Sequence, residues 1–296
     1  MTDFSELAHL DATAQADLVR RKDVQPIELV DAAIDRIEAL NPKLNAVVTN
    51  MFDQARETAR GELPEGPFTG VPFLLKDVLG MCQGVPMTMG SALLRDFVPD
   101  HDSELVSRLR RAGLIFVGKT NVPEFGLGSH TFNSLFGATR NPYNPARTAG
   151  GSSGGAAAAL ASGMVPIADG SDLGGSLRNP AGFCNITGFR TSPGRVPKWP
   201  TTVAWAPFSV QGPMARTVAD IALMLSAIAG PDPRFPISIA EPAEIFSRPM
   251  DRDFKNTRIA WSMDLSGLPV DPRVRTIQEA KGLYAPNFDT AKQYRI

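Results

Sequence analysis

The stretch GGSSGGAAAALASGMVPIADGSDLGGSLRNPAGF (residues 150–183) decides how this chain is read. Two glycine–serine clusters stand either side of an alanine-rich run, placing Ser152 and Ser176 on hinged backbone a short distance apart. Between them, residues 155–162 read as a helix of small side chains and VPIADG (165–170) as a buried strand. A flexible linker should be poor in apolar residues on both sides, so this segment is no linker. It reads as a site. Glycines allow unusual φ/ψ and close backbone approach, and consecutive N–H groups after a turn can converge on one oxygen. SDLGGS (171–176) can offer the N–H groups of Leu173, Gly174, Gly175 and Ser176 to a developing oxyanion, or to a phosphate.

Working outward, Asp11 can cap ATAQADLVRR, and Pro26 suits the first turn of the apolar-periodic PIELVDAAIDRIEAL,. LNAVVT (44–49) reads as a short strand, and a polar helix follows near 51–60. GVPFLLKDV (70–78) is an apolar strand containing one lysine, Lys76. The amphipathic DSELVSRLRRAG is a helix with Gly113 past its end, followed by LIFVG (114–118) as a strand,. Residues 128–150 read as loop. Later elements are ITGFRTS (186–192), the helix TVADIALMLSAIAG (217–230) and RIAWSM (258–263). The proline-rich stretch 231–249 is a linker or a surface loop. Strands alternating with helices predict an α/β fold.

The 296 residues carry a formal net charge of −1, with no basic excess to mark a nucleic-acid partner,. The short run Arg108-Leu109-Arg110-Arg111 reads as a solvated helix face. Cys82 and Cys184 are the two cysteines and are expected as buried thiols, with neither a disulfide framework nor a metal site,. No signal peptide or membrane span is visible, which predicts a soluble cytoplasmic protein.

GLIFVGKT (113–120) matches the phosphate-loop pattern letter for letter, but its middle residues read as the strand itself,. Of the three histidines, His9, His101 and His130 all fall outside strand ends and glycine-rich turns, so a Ser-His-Asp triad is unsupported. Lys76 follows Phe73, Leu74 and Leu75, and a lysine there is costly to bury unless paired or neutral,. Burial lowers a lysine pKa and yields a base usable near neutrality. The alternative is an ammonium in water or paired with Asp77.

GVPFLLKDV, GGSSGG and GSDLGGSLRNPA occur in this order, with GKTNVPEF, GATRNPYNP, GRVP and GPMARTVAD between and after them. Together they resemble the amidase signature family of serine hydrolases over about residues 10–275, within one domain spanning 1–296. The resemblance implies an α/β fold with a mixed β-sheet core covered by helices. It implies Ser176 as the acyl-forming nucleophile, Ser152 as the bridging serine after a cis Gly151–Ser152 peptide, and Lys76 as the terminal base. Two serines are needed because a lysine works through one to reach the other. Asp172 and Arg178 would hold the nucleophile turn. No cofactor is implied, and the substrate class is a small carboxylic amide.

Ala156 stands where many members carry serine, and GFRTSPGRVP (188–197) departs from the usual Gly-Leu-Lys-Pro-Thr form. The tail TIQEAKGLYAPNFDTAKQYRI (276–296) does not resemble the family's long C-terminal portion, so that portion is expected to be largely lacking. The expected function is hydrolysis of an amide to acid plus ammonia or amine. A weak or inactive amidase-like binding protein and an amidotransferase component working on charged tRNA are the alternatives.

Overall fold

The computed structural model describes residues 4–280 apart from 252, 256, 259–263, 265 and 266. Residues 259–263 of the element expected at RIAWSM, and the tail beyond residue 280, lie outside the described residues. The chain divides into two compact units, Met1–Arg248 and Pro249–Ile296.

The first unit begins with α1 (Phe4–Leu7), α2 (Ala12–Arg20) and α3 (Pro26–Leu44). The Asp11 carboxylate accepts the Ala14 N–H at 2.8 Å, satisfying one of the orphan donors at the start of α2,. Pro26 opens α3, and the Gln25 N–H donates to the Glu28 carboxylate at 2.7 Å,. Then come β1 (Val47–Asn50), α4 (Phe52–Arg60), β2 (Pro72–Lys76), α5 (Glu104–Arg111) and β3 (Ile115–Thr120). The pair β4 (Phe132–Asn133) and β5 (Gly137–Ala138) forms a small separate ribbon in the segment expected as loop. It is followed by α6 (Gly154–Ala161), β6 (Ile167–Asp172), α7 (Arg178–Cys184), β7 (Thr187–Gly188), β8 (Val210–Ala215) and α8 (Val218–Ile228). In the second unit, α9 spans Pro272–Ala280.

Six strands form one mixed sheet in the order β1-β3-β2-β6-β8-β7. The central β3, β2 and β6 run parallel, while β1, β8 and β7 pair antiparallel with their neighbours. Successive side chains on a strand point to opposite faces, and the two cores follow this rule. Leu74, Ile115, Val117 and Ala168 pack with α3, α4 and α6 on one face. Phe73, Leu75, Phe116 and Ile167 pack with α2, α5 and α8 on the other. Strands buried on both faces read as continuous apolar runs, which is why LIFVG and VPIADG are legible.

Besides α1 and the β4–β5 ribbon, strand β8 and helix α7 escape a reading of the sequence. Strand β8 contains Gly212-Pro213, which weakens any strand signal,. Pro213 nevertheless sits inside the sheet, where its carbonyl accepts the Phe189 N–H at 3.1 Å. Helix α7 contains Pro180 in its first turn, where the missing N–H costs nothing,. Within the element expected at ITGFRTS, only the two residues of β7 are regular structure. The basic run is not wholly solvated either. Leu109 is buried, and the Arg108 guanidinium donates to the carbonyls of Ile228, Ala229, Gly230 and Pro231 at and beyond the end of α8. A cation at a helix C-terminus satisfies the carbonyls left without intrahelical partners.

Candidate active site

Three strand and helix ends converge on the lysine. Lys76 is the last residue of β2 and is fully buried. It lies on the same face of the strand as Leu74, which packs with α6, so its side chain runs toward the start of that helix,. There the Lys76 nitrogen Nζ lies 2.9 Å from Ser152 Oγ, 2.8 Å from Ser153 Oγ and 2.9 Å from Ser171 Oγ. Ser152 and Ser153 immediately precede α6, and the Gly151–Ser152 peptide is cis. Ser171 belongs to β6, and Ser176 lies in the turn between β6 and α7, half-buried. The Ser153 N–H donates to the Ser176 carbonyl at 3.3 Å, which ties the two serine segments together.

The glycines make this crowding possible. A Cβ on Gly155 would stand 2.5 Å from the Asn121 nitrogen, so only glycine lets α6 approach the end of β3 this closely. Gly175 has φ of +119°, and a Cβ there would meet the Asn179 side chain at 2.7 Å,.

Asp172 organises the turn that carries Ser176. Its buried carboxylate accepts the Gly175 N–H at 2.8 Å and the Leu177 N–H at 3.2 Å. It also accepts the Arg178 guanidinium at 3.0 and 3.1 Å and Arg190 Nη1 at 2.8 Å. Burial alone would raise this carboxyl, but the bonds from Arg178, Gly175 and Leu177 together hold it well below the usual carboxylate range,. The Gly175 N–H is therefore engaged in holding the turn. Among the described residues, the N–H groups of Leu173, Gly174 and Ser176 have no such acceptor.

Lys76 does not pair with Asp77. That carboxylate instead faces Lys119 Nζ at 3.1 Å, with both side chains fully buried, and accepts the Thr88 hydroxyl at 2.6 Å. Burial pushes Lys76 down to about 7, opposed by the negative charges of Asp169 and Asp172,. Asp169 is also buried, and burial pushes it up to about 6. Asp169, Ser153, Ser171 and Arg190 are site residues that the sequence alone does not single out. A carboxylate inside the apolar VPIADG run is nonetheless the same kind of signal as the lysine inside PFLLK.

The remaining sequence candidates stay apart. His9, His101 and His130 are all exposed. Residues 115–120 of the phosphate-loop look-alike are strand β3. Cys82 and Cys184 are buried free thiols, the latter pushed up to about 12 by burial. Among the described residues, no three His, Cys, Asp or Glu side chains are placed to hold a metal ion, and no helix is long and apolar enough to cross a membrane.

The arrangement joins a buried amine, hydroxyl groups within hydrogen-bond reach and a glycine-rich turn carrying a further serine. A family model described as Amidase matches residues 28–282. The chain belongs to the amidase family. Its relatives include the A-subunit of glutamyl-tRNA(Gln) amidotransferase from Moorella thermoacetica, 40% identical over 280 residues, covering 92% of this chain and 57% of that protein. An acylamidase of Rhodococcus erythropolis is 39% identical over 278 residues, covering 90% of this chain and 57% of that protein. Among solved structures, 6-aminohexanoate cyclic dimer hydrolase complexed with substrate superposes with a TM-score of 0.85 at 35% identity, over 98% of this chain and 61% of that one. This amidase-family chain thus spans little more than half the length of those curated relatives.

Proposed function

We propose that the chain hydrolyses a small carboxylic amide through an acyl-serine intermediate, with Ser176 as nucleophile, Ser152 as bridging serine and Lys76 as base. The observation that carries this reading is Lys76 Nζ, fully buried and 2.9 Å from Ser152 Oγ, with its pKa lowered to about 7. An amine of that kind is about half neutral at neutral pH and can accept a proton. Ser176 Oγ attacks the amide carbonyl carbon while its proton passes through Ser152 to Lys76. The N–H groups of Leu173, Gly174 and Ser176 face the oxyanion of the tetrahedral intermediate, and the Gly175 N–H holds their turn through Asp172. The C–N bond then breaks as the proton returns along the same path to the leaving nitrogen. Water, deprotonated by the same relay, attacks the ester carbon; the bond from that carbon to Ser176 Oγ breaks, the relay returns the proton to Oγ, and the acid leaves. Asp172, Arg178 and Arg190 keep the turn in register.

The test is labelling of the purified chain with a fluorophosphonate probe, together with turnover of aliphatic, aryl and cyclic amides. Labelling at Ser176, lost in Ser176→Ala and reduced in Ser152→Ala, is expected. Labelling that is equal in all three proteins would refute the assignment. The identity with the Moorella relative favours a second reading, an amidotransferase component working on charged tRNA. Co-purification with partner proteins and tRNA-dependent turnover would select it.

A further inference from the structure

The buried charges around Lys76 can be accounted for one by one. Asp77, the residue after β2, is matched by Lys119 of β3 at 3.1 Å. At the end of β6, Asp172 is matched by Arg178 of α7 at 3.0 Å and by Arg190, just past β7, at 2.8 Å. Ser152, Ser153 and Ser171 are neutral. That leaves Asp169 in the middle of β6, which makes no ion pair within 4.0 Å among the described residues. Its side chain has a definite task. The β2–β6 ladder pairs Phe73 with Ile167 and Leu74 with Ala168, and goes no further. Past that point, the Lys76 backbone N–H donates to Asp169 Oδ1 at 2.6 Å, so the carboxylate stands in for a ladder carbonyl.

We infer that Asp169 is a positioning residue that anchors Lys76 at the end of β2 and serves as its counter-charge, setting the pH at which the lysine becomes a free base. This rests on the acyl-serine reading above. Two effects are separable. The anchor needs only an acceptor oxygen, which an amide also has; the counter-charge needs the carboxylate. An opposite charge nearby favours the ammonium form, and removing Asp169 leaves burial opposed only by Asp172, whose charge is already matched by Arg178 and Arg190,. Burial already raises Asp169 and lowers Lys76, so the two groups titrate close together and influence each other near neutrality,.

The experiment follows the rate of fluorophosphonate labelling against pH for the full chain and for Asp169→Asn. The expected result is an acid limb displaced to lower pH, by about one unit or more, with the plateau rate held within about tenfold. Asp169→Leu, which removes both acceptor and charge, should show a much lower plateau. An unmoved acid limb in Asp169→Asn would overturn the inference, whatever its plateau. If the asparagine variant does not fold, Asp169→Ser removes the same charge while retaining a hydroxyl acceptor, and its limb decides the matter. Absence of labelling in the unsubstituted chain would instead count against the acyl-serine reading itself.

Discussion

At the scale of single residues, Lys76 is costly where it sits. An unfolded lysine holds its proton up to about pH 10.5, whereas the folded one releases it near pH 7. Between those values the unfolded state binds the extra proton, so stability rises with pH, by about 1.4 kcal/mol per unit for one full proton. Lys76→Met removes this dependence. It should be more stable than the parent at pH 7, and the gap should shrink toward pH 10, as read by denaturant melts across that range. A gap independent of pH would mean the lysine is not held near neutral in the folded state. The same residue sets the activity profile. Turnover should rise as pH passes through about 7, because only the neutral amine accepts a proton,. Lys76→Arg should lose about 10²–10⁴-fold in acylation rate, since guanidinium stays charged. Retained activity in the arginine variant would show that only positive charge is required there.

At the scale of elements, the site depends on how closely α6 can lie against the sheet. Gly155 has backbone atoms of Asn121 and Ala46 where a Cβ would go, at 2.5, 2.6 and 2.8 Å. None of these is the end of a flexible side chain. Gly155→Ala should therefore cost about 1–3 kcal/mol by overpacking and move Ser152 away from Lys76. A Cβ on Gly174 would meet nothing within 4 Å, which makes that position a control. Gly174→Ala should leave the thermal midpoint close to that of the parent, while Gly155→Ala lowers it clearly. Equal midpoints would remove the packing argument. The motifs carrying the two serine clusters are legible because glycine runs between apolar elements are distinctive. Strand β8 and helix α7 are not, because Pro213 and Pro180 break the local patterns and only neighbouring strands and the helix N-terminus make them tolerable,.

At the scale of the first unit, distant segments are joined by buried polar contacts. The Asp220 carboxylate on α8 accepts the Ala12 and Thr13 N–H groups at 3.0 and 2.9 Å and the Thr13 hydroxyl at 2.7 Å, capping α2 from far along the chain. Arg216 donates to the carbonyls of Leu10, Leu160 and Val165. Asp220→Ala leaves three donors without their acceptor and should destabilise by about 2–4 kcal/mol, measured from the urea midpoint at constant slope. A loss below about 0.5 kcal/mol would show that water replaces the carboxylate freely. Read unaided, the chain discloses what is local: the α/β alternation, the helix starts at Asp11 and Pro26, and the residue types and order that mark the family. Such features depend on near neighbours and on periodicity, which the order of residues displays directly. Which charges meet is a matter for the folded molecule. Asp77 turns to Lys119, Arg190 joins Arg178 on Asp172, and Asp169 is left beside Lys76, because pairing among buried groups follows three-dimensional proximity and the cost of leaving any charge unmatched,.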